Sequence, residues 1–134
     1  IFALGNLSDE LVSSHEAMLK VQALIKKEAK PKVKAGQLYH MALELTKELG
    51  YEKYFMGVGD RRIRFVGHGL GLELDEYPFL AKGQDLELEQ GMTIALEPKL
   101  IFPGKGVVGI ENTHVVTGNG LKQLGNFDDH IIVL

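Results

Sequence analysis

The sequence predicts an α+β fold, and three observations predict it. Two stretches carry apolar residues at helical spacing, and both lie in the first 50 residues. The remainder is a series of β-branched runs punctuated by glycine and turn signals. Helices and strands segregated in this way predict two helices packed on a curved, mainly antiparallel sheet.

Each element follows in order. Ile1-Phe2-Ala3-Leu4 reads as a strand, and Gly5-Asn6 as the turn after it. An apolar strand is an unusual free terminus, so the chain is expected to be a piece of a longer protein. Ser8 is a good helix N-cap, with Asp9 and Glu10 at the positive end of the helix dipole. Leu11, Met18, Val21, Leu24 and Ile25 give that helix its apolar side, and Pro31 stops it. Leu38, Met41, Ala42, Leu45 and Leu49 form the stripe of a second helix, capped by Gly50. Ile63 to Val66 predicts a short strand, followed by an irregular, glycine-punctuated stretch from Gly67 to Pro78. Met92 to Phe102 and Val107 to Val116 predict two long strands joined by the turn Pro103-Gly104-Lys105-Gly106. Gly118-Asn119-Gly120 is a hairpin signal, and Ile131 to Leu134 a last strand. No repeat or linker divides residues 1–134, so one domain is expected.

Bulk composition narrows the function classes. With 45% hydrophobic and 25% charged residues the chain groups with soluble globular proteins. A formal net charge of -3 gives no reason to expect nucleic acid or an anionic membrane as partner. No apolar run approaches the roughly 18 residues of a membrane span. There is no Cys, which excludes disulfides and thiolate metal sites and agrees with a cytoplasmic location.

Three residues are candidates for chemistry. His68 lies between two glycines in Val66-Gly67-His68-Gly69-Leu70-Gly71. Glu97 sits in the apolar run Thr93-Ile94-Ala95-Leu96-Glu97-Pro98, and Glu111 in Gly109-Ile110-Glu111-Asn112. A carboxylate inside an apolar strand is costly to bury unless it is paired or bound to a metal. The two strands are joined by a short turn, so both carboxylates are expected to face one site. Taken singly, a His between glycines is more often a loop residue and a Glu in a strand more often points to solvent.

Their joint context changes that. The string GHGLGLELDEYP, then GMTIALEPKL, then GIENTHVVTGNGLKQL, resembles the creatinase, prolidase, aminopeptidase P and methionine aminopeptidase superfamily. The opening FALGNLSDEL is similar as well, so the resemblance spans essentially the whole chain. It is nearest to the branch that cleaves next to proline. The resemblance implies the later portion of a pita-bread fold, with residues 1–134 forming the C-terminal part of the catalytic domain. It implies a parent protein that is a two-metal exopeptidase, an Xaa-Pro aminopeptidase or dipeptidase acting on short peptides. His68, Glu97 and Glu111 match metal ligands of the family, Glu97 also a proton-shuttling carboxylate and Glu111 the carboxylate that bridges both ions. Two divalent ions are implied, manganese favoured over cobalt, iron or zinc. A homodimeric parent is compatible with the resemblance.

Three departures qualify it. The family's two Asp ligands precede the position where this chain starts, and Asp9 and Asp60 do not match them, so the chain alone is expected to be inactive. Asp75, in Leu74-Asp75-Glu76-Tyr77-Pro78, stands where the family has a His that hydrogen-bonds substrate. An ionised carboxylate accepts but cannot donate, which puts strict Xaa-Pro specificity in question at this catalytic-site position. Gly109 stands where many members have Arg, and Asn112 where most have Asp. Two alternatives stay open: a non-catalytic pita-bread module that binds peptides or proteins, and a creatinase-like non-peptidase hydrolase or lyase.

Other signals are weaker. Gly104 to Gly109 fits G-x-G-x-x-G, but a strand rather than a helix is expected after it. His15-Glu16 lacks the second His of a zinc-binding helix, since position 19 is Leu. His114 lies three residues past Glu111, which alternation places on the other face of the strand. His40 and His130 are expected in solvent, as is the run Lys26, Lys27, Lys30, Lys32 and Lys34.

Overall fold

A computed structural model describes all residues 1–134. The first helix, α1 (Asp9–Glu28), begins at Ser8, whose hydroxyl accepts from the Leu11 amide at 3.4 Å. The second, α2 (Ala35–Glu48), follows after the Pro31 break. Met18, Val21 and Ile25 of α1 and Leu38 and Ala42 of α2 are fully buried. One stripe residue departs from expectation. Met41 is exposed, and the buried side of α2 runs instead through Ala35, Leu38, Tyr39, Ala42 and Thr46. Thr46 sits there without penalty because its hydroxyl donates to the Ala42 carbonyl at 2.6 Å.

The strands are β1 (Phe2–Ala3), β2 (Phe65–Gly69), β3 (Glu76–Ala81), β4 (Thr93–Leu96), β5 (Lys99–Phe102), β6 (Gly106–Gly109), β7 (Asn112–Thr117), β8 (Gly120–Gln123) and β9 (Ile132–Val133). A five-stranded antiparallel sheet runs β3-β2-β4-β7-β8, and β5-β6 form a separate ribbon. The pair β1-β9 is parallel. Helix α2 packs over β3 and β2, while α1 packs over β8 and the β5-β6 ribbon. Val66, Leu80, Ile94, Leu96 and Val116 of the sheet and Leu100 of the ribbon supply the strands' share of the core. Each such aliphatic side chain contributes roughly 1.5–3 kcal/mol by leaving water.

The two long strands expected at 92–102 and 107–116 are each broken in two. Pro98 has no amide hydrogen to offer a ladder. The Glu97 amide still reaches the Val66 carbonyl at 3.0 Å, but beyond it the chain leaves the large sheet. The Ile110 amide donates to the Pro98 carbonyl at 3.2 Å, so the returning strand turns at the same level. The stretch 67–78 is also more regular than expected, because β2 runs through Gly69 and β3 starts at Glu76.

Candidate metal centre

The glycines around His68 have a packing reason. A Cβ on Gly67 would lie 2.6 Å from the Ala95 carbonyl oxygen, and one on Gly69 would lie 2.5 Å from that of Tyr77. Their absence lets β4 and β3 close in on either side of the histidine. His68 is buried in the middle of the sheet, opposite Ala95. Its Nδ1 lies 2.9 Å from the Gly69 carbonyl oxygen. A carbonyl only accepts, so Nδ1 carries the proton and Nε2 presents its other face to the site.

Carboxylates stand at that face. The Asp75 Oδ1 is 3.2 Å from His68 Nε2, and the Glu97 Oε1 is 3.6 Å away. Asp75 comes from the turn between β2 and β3 and is half exposed, whereas the Glu97 side chain is only 12% exposed. Atoms that hold lone pairs repel when they converge without a positive charge between them. Such a donor set suits a cation.

Glu97 and Glu111 are related by the strand break. The register Leu96↔Asn112 in the large sheet continues as Lys99↔Gly109 in the ribbon. Glu97 and Glu111 therefore stand directly across from each other at the bend. Like charges in such a pair are destabilising unless something positive lies between them. Both line a cleft of about 330 Å³, together with Lys99, Val107, Gly109 and Ile110. Glu111 is exposed there, not buried within a strand as the sequence suggested, because Ile110-Glu111 is the irregular link between β6 and β7.

Sequence reasoning missed Lys99. Its ammonium pairs with the Glu97 Oε2. The signal was available: positions 97 and 99 alternate onto the same face of the strand. Gly109 opposite has no room for a side chain, since a Cβ there would lie 2.6 Å from the Lys99 Cβ. Thus no Arg fills position 109, and the basic group of this cross-strand pair comes from 99.

The chemistry of the donors fits a divalent ion of the manganese-to-zinc series, which takes imidazole nitrogen and carboxylate oxygen. The fit is partial. No three His, Asp or Glu side chains lie close enough together to hold an ion unaided.

The remaining candidates fall elsewhere. Asn112 faces away from the cleft and donates to the Gln22 and Asp129 side chains at 3.1 and 2.9 Å. His114 is fully buried, with both ring nitrogens unpartnered. Burial first, then the charge of Lys26, push its pKa down to about 4. His15 is buried in α1 and bonds the Asp129 carbonyl at 2.7 Å. His40 and His130 lie in solvent, and His130 pairs with Asp128. Gly104 to Gly106 is a turn leading into β6, with no helix to hold a phosphate.

Comparison with known proteins places this arrangement. The model of metallopeptidase family M24 matches residues 1–118. The Xaa-Pro dipeptidase of Pyrococcus furiosus is 36% identical over 121 residues, which is 90% of this chain and 33% of that protein. Among solved structures, the X-Pro aminopeptidase of Thermotoga maritima superposes with a TM-score of 0.88 at 29% identity, covering 99% of this chain and 36% of that one. A dipeptidase from Pyrococcus horikoshii gives 0.87 at 32% identity, with 99% and 35% covered. The N-terminal domain of the FACT subunit SPT16 from Eremothecium gossypii gives 0.80 at 18% identity, a likeness of fold alone. The chain spans about a third of the length of the relatives it matches. The α+β architecture is that of the pita-bread proteins, and with a family model covering most of its residues the chain belongs to metallopeptidase family M24.

Proposed function

We propose that the whole protein is a two-metal exopeptidase of the Xaa-Pro aminopeptidase or dipeptidase type, and that residues 1–134 form the later part of its catalytic domain. The observation that carries this reading is that Glu97 and Glu111 line one cleft at the strand break, with Glu97 3.6 Å from His68 Nε2. His68, Glu97 and Glu111 would hold the ions, manganese first among the candidates, with the remaining ligands outside these residues. When bound, such ions supply a water of lowered pKa and polarise the scissile carbonyl.

The side chains have separate tasks. The Gly69 carbonyl keeps the proton on His68 Nδ1 and so keeps Nε2 turned toward the carboxylates. Glu97, shielded from solvent, accepts the attacking water's proton at a carboxylate oxygen and returns it to the leaving amine. Asp75 lies at the rim, where it accepts a hydrogen bond from a substrate amide or ammonium. These residues alone lack a full cage, so weak or no activity is expected from them.

The test is manganese-dependent hydrolysis of Xaa-Pro and non-proline dipeptides and tripeptides by the full-length protein, with His68→Ala as control. Metal-dependent cleavage that disappears in the control supports the reading. A folded, metal-loaded protein that cleaves none of them sinks it. Asp75 favours a second reading, a creatinase-like hydrolase or lyase, because it alters the rim while leaving His68, Glu97 and Glu111 in place. A panel of small non-peptide amides separates the two.

A further inference from the structure

We propose that Phe65 and Phe79 are positioning residues, whose rings hold the His68 imidazole in the orientation that turns Nε2 to the metal. The inference deepens the metallopeptidase reading and rests on it for the ion. Its geometry comes from the strands alone.

The register of β2 and β3 brings the rings together. Phe65 pairs with Ala81 and His68 with Phe79, so β2 has one residue more than β3 between the two pairs. A bulge of this kind bends the strand and re-aims a side chain. In a regular strand residues 65 and 68 would point to opposite faces. The extra residue brings both to the side of Phe79. The Phe65 ring stands perpendicular to the His68 ring, with 5.8 Å between centroids, and lies 5.7 Å from the Phe79 ring. The Phe79 and His68 rings are 6.4 Å apart. These separations are within the range over which aromatic rings attract.

The core does not account for the two phenyl rings. Their chain neighbours Val66 and Leu80 belong to it, but Phe65 and Phe79 neither join that cluster nor pack against it, and both stay half-buried. What they do cover is the histidine. Apart from them, the imidazole is held by one hydrogen bond, from Nδ1 to the carbonyl of the next residue. A bond to so near a carbonyl is easily exchanged for one to water. An apolar shell beside a ligand controls solvent access and fixes the ring's orientation. With Nδ1 held and the two phenyls alongside, Nε2 is the nitrogen left to face Asp75, Glu97 and an ion.

The experiment uses the full-length protein with Phe65→Leu and Phe79→Leu, made separately, and the ring-keeping Phe79→Tyr. Calorimetry gives the manganese Kd. The side-chain nitrogen NMR spectrum of the metal-free protein reports the His68 Nδ1–H, which His68→Ala identifies. Loss of an outer partner of a metal ligand weakens binding about 10- to 100-fold. Each Leu variant should raise the manganese Kd by that factor and broaden or remove the His68 Nδ1–H signal, and Phe79→Tyr should stay near wild type on both. Either Leu variant that folds decides the matter. An unchanged Kd and signal overturn the proposal, even if the melting midpoint falls, since that marks packing alone. So does a weakened Kd with the His68 signal intact, because the rings then do not act through His68. A wild type that takes up no manganese overturns the inference together with the metal centre. Ring-dependent manganese binding without hydrolysis of any peptide keeps this inference and removes the peptidase reading. Hydrolysis with an unchanged Kd in the Leu variants does the reverse.

Discussion

His68 and His114 are both buried in the same sheet, two strands apart, and their surroundings are opposite. His68 has one nitrogen fixed by a backbone carbonyl and the other facing Asp75 and Glu97. His114 has no hydrogen-bond partner on either nitrogen. The face bearing Glu97, Lys99 and Glu111 is charged and opens into a cleft. The face bearing Asn112 and His114 is closed by α1, with Gln22 and Asp129 completing its polar contacts. Residue type and burial therefore do not set a buried histidine apart. Its partners do, and they come from elements distant in sequence.

The strongest way to break this comparison is to remove one histidine at a time. In the full-length protein, Glu97→Gln should lower kcat/KM by on the order of 10²–10⁴, the range for losing a proton-transfer group, and His68→Ala should abolish metal-dependent cleavage. His114→Leu should leave kcat/KM within about threefold, because the ring makes no bond that the cleft uses. Steady-state hydrolysis checks both, and a comparable loss in His114→Leu would erase the distinction.

The next effect is on stability. The pKa of His114 is near 4 in the folded state against 6.5 as the ordinary value. The unfolded chain thus takes up a proton first as pH falls. The neutral ring's contribution is complete above about pH 6.5 and is lost progressively down to about pH 4, on the order of 3 kcal/mol in all. Denaturant unfolding between pH 7 and pH 4 should show this loss, and His114→Leu should flatten it. An unchanged pH slope in that variant would show that another group carries the effect.

These two faces also differ in how far the sequence exposed them. Helix positions, caps and turns were legible because their causes are local: Ser8, Pro31, and the spacing of Met18, Val21 and Ile25. His68 and the two glutamates were legible through three motifs in order, since glycine is needed where strands approach closely. The strand breaks were not. Pro98 was visible, but its consequence depends on β6 turning at the same level, which is a long-range fact. Lys99 was passed over because a lysine in a strand usually points to water. This one instead packs close against the Gly109 backbone and reaches Glu97. Met41 was placed in the core on period alone, whereas the buried side of α2 runs through Tyr39 and Thr46 instead.

Two smaller effects sharpen the comparison. Gly109→Ala should cost about 1–3 kcal/mol, the usual range for overpacking, because the new methyl meets the Pro98 carbonyl and the Lys99 stem. Denaturation midpoints measure it, and an unchanged midpoint would show that the Lys99 stem and the Pro98 carbonyl give way without cost.

Asn112→Ala tests the closed face. The Asn112 amide holds Gln22 and Asp129, and Asp129 in turn holds Gln22 at 3.2 Å, so one side chain links α1, β7 and the segment before β9. Removing it deletes two hydrogen bonds but leaves the Gln22–Asp129 bond in place. The carboxylate of Asp129 then keeps a partner, which limits the cost to about 1–2 kcal/mol rather than that of a stranded charge. Because Asn112 points away from the cleft, kcat/KM should hardly move. If activity fell while stability held, Asn112 would be acting on its neighbour Glu111 through the backbone, and the two faces of β7 would be one functional unit rather than two.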